Sequence, residues 1–207
     1  MKGLITMVRT AVCLILLFPS VLLSQTNTKA PSQASTLCKP LPSDIQLQIK
    51  QAFDAWEIKE PWGVQEPGDL SATAHERWKS EKPEECPGIA VGQFTGGTTL
   101  SYAVLLVSRD HTEPGYKILV YSPKPGDSTY EVTFVEQESH AGAANFFIHR
   151  VKISRFFDET SRRKLGIDTS EGILLADAVP KNNEAKDNET EVYFWKNGSY
   201  HSQPVDY

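Results

Sequence analysis

Residues 92–99 read GQFTGGTT: a glycine, four residues, a second glycine and two threonines. That is the spacing of a phosphate-binding loop, G-x-x-x-x-G-K-[ST]. There the lysine reaches the terminal phosphates and the loop opens a helix whose N-terminus faces the anion. Here Thr98 stands where the lysine belongs, and the SYAVLLVS that follows has the composition of a strand. No nucleotide is expected, and the stretch reads as a turn between two strands. His75 and Glu76 open HERWK in the manner of a zinc-protease HExxH, but no second histidine follows four residues on. The two-histidine face that would bind zinc is therefore missing. His111, His140, His149 and His201 fall in or beside different strands and loops, without ligand spacing. There is no G-x-S-x-G, and Ser108, Ser122, Ser139 and Ser154 sit at strand ends without a histidine or aspartate context. Glu84-Glu85 and Asp158-Glu159 are adjacent pairs whose side chains point apart, unlike the facing carboxylates of a glycosidase. No catalytic set, metal or cofactor is expected.

Two groups of side chains suit contact rather than turnover. Tyr193, Trp195 and Tyr200 surround Asn197-Gly198 near the end of the chain, with Trp62 in a Pro/Gly loop. On a strand Tyr193 and Trp195 share a face and Tyr200 sits across the hairpin, a platform on which a sugar ring or a partner's side chain can stack. The second group is HRVKISRFFDETSRRK (149–164). It collects His149, Arg150, Lys152, Arg155, Arg162, Arg163 and Lys164 in a chain of net charge −5. Such a patch suits an anion or an acidic partner, and equally a solvated edge strand that Arg150 and Lys152 keep from aggregating.

These residues need a scaffold, and the N-terminus says where it works. Lys2 and Arg9 precede AVCLILLFPSVLL and then polar SQTNTK, the pattern of a signal peptide over residues 1–24, with cleavage expected near Ser24. A secreted or periplasmic location follows, with no transmembrane segment after signal removal, because no second long apolar run occurs. Losing residues 1–24 removes two basic residues and no acidic one, so the remaining chain is more acidic still. That excludes the net basic footprint of a nucleic-acid binder. Cys13 leaves with the signal, and Cys38 and Cys86 remain. An isolated pair in an exported chain, with no C-x-x-C and no neighbouring histidine, is expected to form a disulfide.

Residues 25–36 read as a flexible leader and 37–207 as a single domain. Ser43 with Gln46 three residues on has the form of a capping box. Ile45, Ile49, Ala52, Phe53 and Trp56 then fall on one helical face, in a helix predicted to end before Pro61. A shorter helix is predicted over 71–79. Strand-forming runs follow at 89–94, 101–108, 116–122, 129–137, 146–153 and 172–178, separated by turn compositions. The run at 102–107 is apolar on both alternations, as in a central strand covered on both faces. A capped turn or short helix runs from Asp158 to Gly166. Residues 179–190 are a polar excursion, and Asn197-Gly198 closes a final hairpin of type I′. The expected fold is α+β, a mainly antiparallel sheet of about six to eight strands with one or two N-terminal helices.

IAVGQFTGGTTLSYAVLL followed by YKILVY resembles the strand–loop–strand core of FG-GAP-type β units, through Gly92, Phe94, Gly96, Gly97, Tyr102, Ala103 and Val104. It is also similar to single-domain exported bacterial proteins of no assigned activity. The resemblance implies the strand-rich fold. It does not carry calcium over, because Gln93, Thr95 and Ser101 stand where those units place their ligating Asp or Asn. The functional expectation is an exported, non-enzymatic binding or interaction protein, inhibitor-like or an envelope accessory factor, with a protein or glycan partner. The alternative is a small exported hydrolase whose site is assembled from loops.

Overall fold

A computed structural model describes residues 41–59, 86–110, 112–139, 145–177 and 190–205. Helix α1 spans Ser43–Ala52 and buries Ile45 and Ile49. Its cap is Pro42 rather than Ser43, and Gln46 Nε2 reaches back to the Leu41 carbonyl at 2.7 Å. The capping box is replaced by this side-chain tie. The helix also stops earlier than its apolar spacing suggests. Phe53 leaves helical geometry, and Trp56 belongs to a short strand, β1 (Trp56–Ile58), paired with the later residues 106–108. The second N-terminal helix, 71–79, lies outside the described residues.

The remaining strands are β2 (Ile89–Gly92), β3 (Ser101–Ser108), β4 (Gly115–Pro123), β5 (Tyr130–Ser139), β6 (Phe146–Lys152), β7 (Glu171–Asp177), β8 (Thr190–Lys196) and β9 (Ser199–Pro204). Every pairing is antiparallel. The α+β class and antiparallel pairing hold. The count does not: the described residues form nine strands, in two sheets rather than one. In the first sheet β1 and β2 both pair with β3, followed by β4 and β5. The second is the meander β6-β7-β8-β9. Alternation marks which face of a strand is buried but not which sheet the strand joins, so the division is not written in the period.

The sheets pack face to face through Ala103, Leu105, Ile118 and Val120 on one side and Phe146, Ile148, Ile173, Leu175 and Tyr193 on the other. Each outer face is covered as well. Leu41, Ile45 and Ile49 lie over Val104, Leu106, Leu119 and Tyr121 of the first sheet. A 3-10 turn at Ile153–Arg155 and helix α2 (Glu159–Leu165) bring Ile153, Phe157 and Ile167 over Phe147, Leu174, Val192 and Phe194 of the second. The result is four layers, and it explains β3: Ala103 and Leu105 face the second sheet while Val104 and Leu106 face α1. Helix α2 begins at Asp158, whose carboxylate accepts from Ser161 N–H at 2.6 Å, and ends at left-handed Gly166.

The two edges of the sandwich differ. Beside β2 and β6 the sheets are stitched, because Ile148 N–H donates to the Pro87 carbonyl at 2.8 Å while Leu105 N–H takes the neighbouring Gly88 carbonyl at 2.8 Å. At the other edge β5 and β9 have no strand neighbour beyond them among the described residues. A register shift opposite Ile118/Leu119 bulges β5. No helix among the described residues is long and apolar enough to cross a membrane.

Candidate functional site

GQFTGGTT is the connection between β2 and β3, and no helix follows it. Phe94 is buried between the sheets, whereas residues 96–100 are exposed. The glycines are there for closeness and turn geometry. A Cβ at Gly92 would meet the Phe94 ring at 2.7 Å and Arg150 Cδ at 2.9 Å. Gly96 has φ of 77°, and a Cβ there would lie 3.8 Å from Trp195 Cδ1 and 3.7 Å from the Asp168 carbonyl. Between them Gln93 N–H donates to Glu171 Oε2 at 2.7 Å, and Glu171 Oε1 lies 3.7 Å from Arg150 Nη1. The loop therefore joins an ion pair to an aromatic side chain at one end of the sandwich.

Trp195 and Tyr200 are cross-strand partners on the hairpin, with ring centroids 4.9 Å apart and planes at 74°. Both are half-buried. Asn197 and Gly198 turn the chain with φ of 50° and 82°, as a type I′ turn requires. Asp168 supports the turn by accepting from Asn197 N–H at 3.2 Å. Tyr193 shares the face of Trp195 but sits in the inter-sheet core, 1% exposed. The aromatic surface is thus the Trp195–Tyr200 pair.

The basic residues divide. Arg150 and Lys152 are exposed on the side of β6 that faces the first sheet, and Arg150 is the one held by Glu171. Arg155 lies over the Phe156 ring at 5.5 Å. Arg162 and Arg163 belong to α2, on the opposite face of the second sheet. Arg162 Nη2 donates to the Thr169 carbonyl at 3.4 Å, and Arg163 pairs with Glu159 one turn back. Segment 149–164 is continuous in sequence yet splits across two faces of one sheet. Arg150, with Lys152 two residues on along the same face, belongs to the end where Trp195 stands.

The two described histidines lie apart. His149 is fully buried beside Phe147, with ring centroids 5.7 Å apart, while His201 is exposed on β9 and stacks on Phe194. His75, His111, His140, Trp62 and Cys38 lie outside the described residues. Cys86 is buried at the start of the stitched edge. Among the described residues no three His, Cys, Asp or Glu side chains come together as metal ligands would. Of the serines singled out, Ser122 shares a hydrogen bond with Ser101 at 2.8 Å inside the sandwich end. Ser199 Oγ lies 3.1 Å from His201 Nε2. That is the first half of a nucleophile–base arrangement, but it is an exposed contact along one strand, and no described carboxylate bonds the imidazole to orient it.

Sequence reasoning missed Gln93 and Glu171. A polar residue between two close-approach glycines was the available signal for the first. Glu171 carries none, because only the fold brings it within reach of residue 93, at the other side of the sandwich. No protein-family model, curated protein or solved structure matches the chain.

Proposed function

We propose that the protein is an exported binding protein that uses the loop end of its sandwich to hold a protein or glycan partner. The domain is 37–207, with Cys38 and Cys86 joined as a disulfide after removal of the signal. One observation supports the reading above the others: the β2–β3 loop bonds Glu171 through Gln93, and the backbone passes close to Trp195 at Gly96 and, at the end of β2, close to Arg150 at Gly92. An aromatic pair and a polarised ion pair thereby share one surface. Arg150 and Glu171 are partly exposed, at 49% and 20% of their side chains, so their remaining hydrogen-bonding capacity faces outward. Rings of this kind stack on sugars or partner side chains, and the neighbouring charges fix the orientation.

A glycan array and an envelope protein fraction, each probed with the wild-type chain and with Trp195→Ala and Arg150→Ala, test this. A ligand bound by the wild type and lost from both variants supports the proposal. A ligand bound equally by all three places recognition elsewhere. Ester or phosphoester turnover abolished by His201→Ala would favour the hydrolase alternative instead.

A further inference from the structure

Between the sheets, away from the β2–β3 loop and toward the unstitched edge, two tyrosines meet three carboxylates. Tyr116, at the start of β4, is 3% exposed and donates its hydroxyl to Glu138 Oε2 at 2.8 Å. Glu136 pairs across from Ile118 and Glu138 across from Tyr116, so both carboxylates fall on the inward face of β5 beyond the bulge. From the second sheet, Glu191 and Tyr193 share the same inward face of β8. Burial pushes both phenols far up, helped at Tyr116 by Glu138 and at Tyr193 by Tyr116 and then Glu191, so each ring stays neutral. The electrostatic neighbours of the Tyr193 hydroxyl are Tyr116, Glu191 and Glu136.

Two observations favour a cation as the ligand of this rim. The ion pairs among the described residues use Glu57, Glu171 and Glu159, so none engages Glu136, Glu138 or Glu191. Tyr193 is 1% exposed, and its hydroxyl lies beside Tyr116 and Glu191 without a well-formed hydrogen bond among the described residues. A buried polar group of this kind gains from a donor that completes its hydrogen bonding. Glu138 is exposed and Glu136 and Glu191 are half-buried, so solvent reaches the carboxylate rim. The carboxylates are not grouped closely enough for a metal ion. Their spread suits a larger cation with several diverging N–H donors.

We propose that this rim binds an alkylammonium group, with Tyr193 Oη accepting one N–H and the carboxylates of Glu191 and Glu136 accepting the others. The phenol remains a neutral acceptor, and the carboxylates supply the charge. A lysine side chain of a partner protein and a free polyamine offer the same chemistry. This site is separate from the Trp195 surface and does not depend on it.

The test is calorimetric titration of the full chain with putrescine and, in parallel, with Nα-acetyl-lysine methylamide, at matched ionic strength against sodium chloride. Saturable one-to-one binding by either amine is expected. Tyr193→Phe, which keeps the ring and removes only the hydroxyl, should weaken it about tenfold, as should Glu191→Gln. Glu136→Gln on the facing strand provides a second carboxylate variant should Glu191→Gln fail to fold. Preference for the lysine derivative identifies a protein ligand, and preference for putrescine a polyamine. Absence of saturable binding by both amines overturns the proposal, and so does affinity unchanged in Tyr193→Phe and both carboxylate variants.

Discussion

Replacing Tyr121 by Phe should stabilise the protein, and more so in alkali. Tyr121 lies on β4 under α1, is 0% exposed, and its hydroxyl has no hydrogen-bond partner among the described residues. Removing the oxygen leaves the ring packing intact and relieves an unsatisfied buried polar group, a gain of about 1 kcal/mol near neutral pH. Burial also pushes the phenol up from 10.0 to about 12. Because the folded value is raised, the contribution of this group is intact below about pH 10. It is lost as the pH climbs toward 12, since the unfolded chain ionises first. At about pH 11 the unfolded phenol is stabilised by about 1.4 kcal/mol and the folded one hardly at all, so the advantage of Tyr121→Phe grows by at most about 1.3 kcal/mol. Urea unfolding of both proteins near neutral pH and near pH 11, with equal m-values, measures both quantities. A variant less stable than wild type by ~1 kcal/mol would mean the hydroxyl is bonded. A gap that does not widen in alkali would mean the phenol meets water in the native state.

Gly172→Ala would place a Cβ 2.6 Å from Ile153 Cδ1 and 2.8 Å from the Tyr193 carbonyl, so a loss of about 1–3 kcal/mol is expected in chemical denaturation. Gly198→Ala puts a side chain at φ of 82° with open space around it; the cost is purely conformational, about 1 kcal/mol, and the unfolding midpoint should fall accordingly. Lys59 is buried directly after β1, where its backbone N–H donates to the Leu105 carbonyl, and desolvation lowers its ammonium from 10.5 to about 8, partly opposed by Glu57. The folded value is the lower one, so this group makes stability rise with pH between about 8 and 10.5, and Lys59→Met should flatten that rise in pH-dependent melting.

The strands were legible because their runs are bounded by turn residues and rich in β-branched and aromatic side chains. Asn197-Gly198 and the Asp158–Gly166 helix were legible because their chemistry is local: a left-handed pair, a carboxylate cap and a terminal glycine. Double coverage of β3 could be read from its two apolar faces, although α1 alone was visible as one cover. The split into two sheets was not legible, since β5 and β6 are consecutive in the chain but belong to different layers. Trp56 misled for a related reason. Its spacing from Ile45, Ile49 and Phe53 is helical, yet the chain straightens after Ala52 to pair with β3. At the proposed contact surface, Trp195, Tyr200 and Arg150 could be selected by type. That Tyr193 is core and that Arg162 and Arg163 lie behind the sheet depends on layering, which pattern alone does not encode.

The unequal edges of the sandwich give it a hinge side and a lip side. With the Pro87–Ile148 hydrogen bond fastening one edge, and no backbone hydrogen bond joining β5 to β9 at the other, thermal breathing of the two sheets must be asymmetric. The Ile148 amide belongs among the slowest to exchange with solvent, while the largest separations occur at the lip. Glu136 and Glu138 stand on β5 at that edge and Glu191 on the neighbouring β8, so the cation site proposed above lies on the side of the sandwich that no such bond fastens.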